Sequence, residues 1–381
     1  MRFTPILDEF GTYPFVRLDE ARRETAARGI QVIDFGMGDP NEATEAFIRD
    51  AVAASLPERC KYPRAIGLLE LRRAIAEWCD KRYGVPVDSE HEVIPTYGSK
   101  EAIFTFAQVV DLSPPKNLVL VADPAYPVPE RGARFAGADV MRLPLTEVNG
   151  FLPDIDAVTA ETWRRVALLW INYPNNPTGA VAPLSFFERL AELAIEHDFL
   201  LCSDEAYSEI YFDERPPSAL QVPDRRNVVV FNTLSKRSSM PGYRSGFIAA
   251  SREVIDALRL LRPTLGTTPQ EFIQLASIKA WRDELHVEST RERYRAKREV
   301  MAAALERAGL RVAGSQATFF LWIAVPAGET SEGFAKRLLD SGIVVAPGSY
   351  LGEHGEGYVR MALVPTLEEC EQAAALFERF L

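Results

Sequence analysis

Residues 166–179 read VALLWINYPNNPTG, and the fold turns on this stretch. Its first six residues are apolar throughout, without the alternation of a strand that has one wet face. Such a run suits a strand buried on both sides, as in a parallel sheet. Tyr173–Gly179 then packs two prolines, two asparagines and a glycine into seven residues, a loop with little freedom and several side-chain amides. In open α/β sheets, ligands bind beyond the carboxyl ends of the strands, where such a loop lies. The same pattern recurs outward along the chain. Strand candidates at Glu92–Thr96, Asn117–Val121, Phe199–Ser203, Asn227–Phe231 and Ser245–Ala250 alternate with helical patterns at Lys100–Val110, Leu184–His197 and Arg252–Leu261. This predicts an α/β sheet with crossover helices.

The flanks differ. Phe15–Arg28 and Leu68–Tyr83 read as charged amphipathic helices, and His286–Gly309 as a long polar one. An apolar strand (FFLWIAV, 319–325), a helix near Ser331–Leu339, strands near Ile343–Ala346 and Tyr358–Leu363, and a last helix Thr366–Leu381 follow. We therefore expect a large domain over residues 38–284, a smaller α+β domain over 285–381, and residues 1–37 as an N-terminal arm forming part of the smaller domain.

Composition narrows the function. Of 381 residues, 47% are hydrophobic and 25% charged, as in an ordinary globular protein, and the net charge is −11. An acidic chain without a long basic run is poorly suited to nucleic acid, although a locally positive pocket is still open to small anions. The four cysteines and four histidines are scattered without metal-ligand spacing. The N-terminus lacks a signal-like apolar run, and the longest apolar run, seven residues, is too short to span a bilayer. We expect a reduced, cytoplasmic protein with no membrane or nucleic-acid partner.

Each strand candidate ends in a chemically distinctive group. After Glu92–Thr96 come Gly98, Ser99 and Lys100 at a helix start, suited to a phosphate or simply to capping by Ser99. Asn117–Val121 leads to Tyr126 between two prolines, a flat ring over a pocket or a packed turn. Val166–Ile171 leads to Asn176. Phe199–Ser203 leads to Asp204, which needs a partner if buried, and to Tyr207; an N-cap and an exposed phenol are the alternatives. Asn227–Phe231 leads to Thr233, Ser235, Lys236 and, further on, Arg244: a lysine either solvated or desolvated and reactive, amid phosphate-suited groups. Pyridoxal 5′-phosphate (PLP) needs this whole set. Its aldehyde wants a lysine, its ring nitrogen an acid, its phenolic oxygen donors, its ring stacking and its phosphate a cradle.

In order and spacing, these motifs resemble the class I/II aminotransferases of PLP-dependent fold type I. The Asn-Pro-Thr-Gly loop, SDEAY (203–207) and TLSKRSSMPGYRSGF (233–247) carry the likeness over nearly the whole chain. The resemblance implies a large domain with a mostly parallel central sheet flanked by helices, plus a smaller α+β domain. It implies that Lys236 bonds the cofactor aldehyde and acts as general base, that Asp204 pairs with the ring nitrogen, and that Asn176 and Tyr207 bind the phenolic oxygen. Tyr126 would stack on the ring, and Gly98, Ser99, Lys100, Thr233, Ser235 and Arg244 would hold the phosphate. Tyr62 resembles a tyrosine that reaches the phosphate across a homodimer interface. Gly38 resembles a glycine whose backbone approaches the substrate, and Arg360 the arginine that clamps its α-carboxylate.

The segment around Lys236 further resembles N-succinyldiaminopimelate aminotransferases of lysine biosynthesis, which pair glutamate with 2-oxoglutarate. Arg237, Arg64 and Arg17 are then candidate cations for distal carboxylates. The expected partners are small amino acids and 2-oxo acids. A broad aspartate, aromatic or alanine-type aminotransferase and a PLP carbon–sulfur lyase are the rivals. A PLP-responsive transcription regulator is weaker, because fewer than forty residues precede GMGDP (36–40).

Overall fold

A computed structural model of the chain describes residues 2–10 and 13–380. Met1, Gly11 and Thr12 of the expected N-terminal arm, and Leu381 of the expected closing helix, lie outside the described residues. Among the described residues, thirteen strands form three sheets. They are β1 (Ile33–Asp34), β2 (Val93–Thr96), β3 (Leu118–Asp123), β4 (Asp139–Pro144), β5 (Val166–Asn172), β6 (Leu200–Asp204) and β7 (Val228–Thr233). After these come β8 (Gly246–Ala250), β9 (Val312–Gly314), β10 (Phe320–Ala324), β11 (Ile343–Val344), β12 (Ala346–Pro347) and β13 (Tyr358–Ala362).

The large sheet has the order β2-β8-β7-β6-β5-β3-β4. Its pairs are parallel except where β8 runs against both neighbours. It is the mixed α/β architecture that the resemblance implies, with helices over both faces. The uninterrupted apolar runs follow from this, because successive residues serve opposite cores. Val119, Leu168, Cys202, Val229 and Ile248 pack into one cluster, whereas Leu120, Leu169, Leu201, Val230 and Phe247 pack into the other. On the second face the helix Leu69–Tyr83 buries Leu71, Ala74, Ile75, Trp78 and Cys79, a helical stripe, and stops at Gly84 in the left-handed region (φ 69°). Trp78 meets Trp281 of the helix Glu271–Arg282, with ring centroids 4.7 Å apart.

A second, antiparallel sheet, β12-β13-β10-β9, packs with the long helix Leu285–Arg307 and the closing helix Leu367–Phe380 around a third core. The short β1 pairs in parallel with β11, tying residue 33 to residue 343. Among the described residues no helix is long and apolar enough to cross a membrane.

Candidate active site

Strand register brings the predicted residues together. Asn172 lies opposite Asp204, Asp204 opposite Phe231, and both Thr233 and Thr96 opposite Gly246. The ends of β2, β5, β6 and β7 therefore share one sheet edge with the start of β8, which explains how Arg244, just before β8, joins them. Their loops open onto a cavity of about 330 Å³ lined by Gly38, Ser99, Lys100, Tyr126, Asn176, Asp204, Tyr207, Thr233, Ser235, Lys236, Arg244 and Arg360.

Asp204 closes a buried strand. Its Oδ1 accepts from the Ala206 amide at 3.1 Å, so it does cap the following turn. Burial nevertheless drives its pKa up to about 7, against the pull of that amide and of Lys236. Lys236 sits in the single helical turn Leu234–Arg237, where its Nζ donates to the Gly38 carbonyl at 2.6 Å. The rings of Phe319 and Tyr207 flank it, with centroids 5.5 and 6.0 Å away. Burial lowers its pKa to about 8, opposed by Asp39 and Asp204 and reinforced by Arg360 and Arg244. Tyr207 is buried rather than exposed, packed edge-on against Phe319 and Phe320, and burial raises its phenol well above the usual value.

One end of the cavity suits a phosphate. The helix Gly98–Phe106 starts there with no side-chain cap, so the Ser99 hydroxyl is left on the cavity wall instead of capping. Gly98 has φ +72°, and a Cβ there would fall 2.4 Å from Arg244 Nη2. Only glycine lets the guanidinium lie against the helix start. Arg244 donates to the carbonyls of Pro241 (2.8 Å) and Tyr97 (3.3 Å) and has no carboxylate partner among the described residues. Thr233 Oγ1 accepts from the Ser235 amide at 3.1 Å, and the Ser235 hydroxyl lies 3.0 Å from it. An open helix N-terminus, hydroxyls and a guanidinium without an acid together fit a dianionic phosphate.

At the other end lies Arg360, in the middle of β13 and only 3% exposed. Nη1 donates to Asn176 Oδ1 and Nη2 to the Gly36 carbonyl, each at 2.9 Å. Phe320 and Phe15 hold the guanidinium, with ring centroids 4.5 and 5.2 Å from Cζ. Nε has no partner. The buried ion pair that a charge in an apolar strand would ordinarily demand is absent among the described residues, and burial lowers the pKa to about 10. Gly38 packs close to this group: a Cβ on it would come 3.0 Å from the Phe320 ring.

Some predicted residues stay outside the cavity. Tyr62 is fully exposed (101%), and its own chain does not bring it to the site. Arg237 corrects an expectation. It is buried away from the cavity, sandwiched over Trp281 and Trp78 (5.1 and 5.6 Å), donating to the Ala280 carbonyl and paired with Glu284 at 2.6 Å. It braces the structure and reads no ligand. Arg64 and Arg17 are exposed and line no part of their own chain's cavity.

Other lining residues went unforeseen. Tyr13 and Phe15 arrive from the N-terminal segment, Asp39 from GMGDP, and Phe320 from β10. Asn172 pins the loop by donating to the Asp204 carbonyl and accepting from the Asn176 amide, both at 2.8 Å. Its signal was visible: one polar residue ending an apolar strand.

Residues 30–377 match the family described as aminotransferase class I and II. The LL-diaminopimelate aminotransferase of Nitratidesulfovibrio vulgaris is 40% identical over 382 residues, 97% of each chain. That of Aquifex aeolicus is 41% identical over 378 residues, 98% of this chain and 97% of the relative. Among solved structures, aspartate aminotransferase from Thermus thermophilus with maleate superposes with a TM-score of 0.90 at 30% identity, covering 100% of both chains. A probable N-succinyldiaminopimelate aminotransferase from Thermus thermophilus gives 0.89 at 31% identity, covering 96% of this chain and 100% of that one.

Proposed function

Because the chain belongs to the class I and II aminotransferases, a PLP-dependent family of transaminases, we propose that it moves an amino group between LL-2,6-diaminopimelate and the 2-oxoglutarate/glutamate pair, a reversible step of lysine biosynthesis. The observation that carries the amino-acid part is Arg360, a buried guanidinium with three unused N–H groups and no acid. Such a group awaits a planar anion, and an α-carboxylate matches its fork. The relatives' names support the free diamino diacid over its N-succinyl derivative.

When bound, PLP supplies an aldehyde on an electron-withdrawing ring, which acidifies the α-hydrogen of an attached amino acid. The chain's residues do the rest. Arg360 and Asn176 orient the α-carboxylate, fixing which hydrogen is presented. The Lys236 amine, less basic than an exposed lysine, is neutral often enough near pH 8 to take that proton from the α-carbon. Asp204, which resists ionisation when alone, gains a cationic partner in the ring nitrogen and holds its proton there. Tyr207 and Asn176 donate to the phenolic oxygen, and Tyr126 covers one ring face. Gly98, Ser99, Lys100, Thr233, Ser235 and Arg244 anchor the phosphate. Two copies form a cytoplasmic homodimer in which each lends its Tyr62 to the other's phosphate.

A donor panel with and without 2-oxoglutarate tests this. Diaminopimelate should be consumed only with the acceptor present, with glutamate as product. Preference for the N-succinyl compound or for aspartate would move the substrate assignment, and ammonia release without an acceptor would make the protein a lyase.

A further inference from the structure

Two residues that line no part of the main cavity sit behind its phosphate end. Glu101 is the fourth residue of the helix Gly98–Phe106, and Arg262 lies in the last turn of the helix Arg252–Leu265. Arg262 is 1% exposed and meets the Glu101 carboxylate with both Nη atoms, at 2.9 and 3.3 Å. Thr267, just past that helix, donates its hydroxyl to Glu101 Oε1 at 2.9 Å, and its carbonyl accepts from Arg262. The other carboxylate oxygen, Oε2, accepts from the Tyr97 amide at 3.3 Å. The carbonyl of the same Tyr97 accepts from Arg244, the guanidinium at the phosphate end. A single residue thus joins a carboxylate to the cradle.

An acid in the first turn of a helix draws on the positive end of the helix dipole, the same charge that a phosphate at Gly98 and Ser99 would use. The Glu101 side chain is only 14% exposed. A bare carboxylate in that setting would repel a dianion with little screening by water. We propose that Arg262 is a positioning residue for the cofactor phosphate. By neutralising Glu101 it leaves the helix start positive, and by holding that carboxylate against the Tyr97 amide it aims the peptide that Arg244 grips. This rests on the phosphate placement given above and deepens it, since it accounts for a carboxylate one residue from a dianion. A merely structural ion pair would behave differently. Breaking it from either side would harm every ligand alike, whereas a charge role gives the two sides opposite signs.

The test titrates the full-length apoprotein with PLP and with pyridoxal, which keeps the aldehyde and ring but lacks the phosphate. Binding is followed by the absorbance of the bound aldehyde in phosphate-free buffer near pH 8, and the quantity read is the ratio of the two affinities. Arg262→Gln leaves the carboxylate bare, so the preference for PLP should fall at least about tenfold, the effect of a unit charge about one helical turn away. Glu101→Gln can still accept from the Tyr97 amide but has no negative charge, so the preference should rise by a factor of a few. The double variant is neutral again and should recover most of what Arg262→Gln loses. An Arg262→Gln ratio equal to wild type, or a double variant no better than that single one, overturns the proposal. So does a Glu101→Gln ratio that fails to rise, and this arm decides even where Arg262→Gln does not fold. A wild type that binds pyridoxal as tightly as PLP sinks the phosphate placement itself, and the role of Arg262 with it.

Discussion

Arg360 is held by an amide oxygen, a backbone carbonyl and two aromatic faces, and by no acid among the described residues. Neutral acceptors repay only part of the cost of burying a charge, so the site is incomplete until an anion arrives. Arg360→Lys keeps the charge and loses the fork. We expect kcat/KM for amino-acid donors to fall roughly 10- to 100-fold, the ~1.5–3 kcal/mol of a charged hydrogen bond, with cofactor affinity changed much less; steady-state kinetics and a PLP titration check this. Glu205, next to Asp204, is a different case. It is wholly buried, its Oε1 accepting from the Ser203 hydroxyl (3.0 Å) and the Ala219 amide (2.9 Å), and burial pushes its pKa up to about 7. The folded state thus holds this proton more tightly than the unfolded state does. Its contribution to stability is greatest below pH 4.5 and is lost as pH rises towards 7. Glu205→Gln cannot titrate. Relative to that variant, the wild type should lose up to about 3 kcal/mol across this range in urea titrations, and a pH-independent difference would refute the assignment.

Among elements, β5, β6 and β7 are legible in the sequence because burial on both faces leaves nothing but apolar residues, and the groups that end them are conspicuous by contrast. The edge strand β4 is not: most of its residues are exposed, so its composition carries no such mark. The helix Glu271–Arg282 hides for another reason. Gln274 and Ser277 lie on its buried face among Ile273, Ala276 and Trp281, which blurs the apolar period. Arg237 misled because neighbours on a helical turn point roughly 100° apart, so Lys236 enters the cavity while Arg237 turns to two tryptophans from distant segments. Such long-range partners leave no local trace. The start of the helix Gly98–Phe106 carries its own prediction. Gly98→Ala would set a methyl against Arg244 at a positive φ, costing about 1–2 kcal/mol of stability. Thermal unfolding should show that loss, and a titration should show weakened PLP binding with the Lys236 bond still formed.

At the scale of the molecule, Tyr13, Phe15 and Asp39 could not be foreseen as site residues, because the N-terminal segment is guided there through the pairing of β1 with β11. Tyr62, fully exposed on its own chain, can serve the phosphate only if a second copy brings it there. Tyr62→Phe should weaken PLP binding, and mixing that variant with inactive Lys236→Ala chains should create hybrid dimers with one intact site. Recovery of tight binding and activity on mixing supports the exchange; its absence removes Tyr62 from the site.

The hydrogen bond from Arg360 to the Gly36 carbonyl spans 324 residues of sequence. Apart from Tyr62, everything assigned to the cofactor lies, by contrast, between Gly98 and Arg244. On the ribosome, that middle portion emerges long before β11 and β13 exist. A nascent polypeptide stalled short of residue 343 would carry the reactive amine and the phosphate bay without a grip for any amino acid, so the ability to select a substrate is the last property that translation confers.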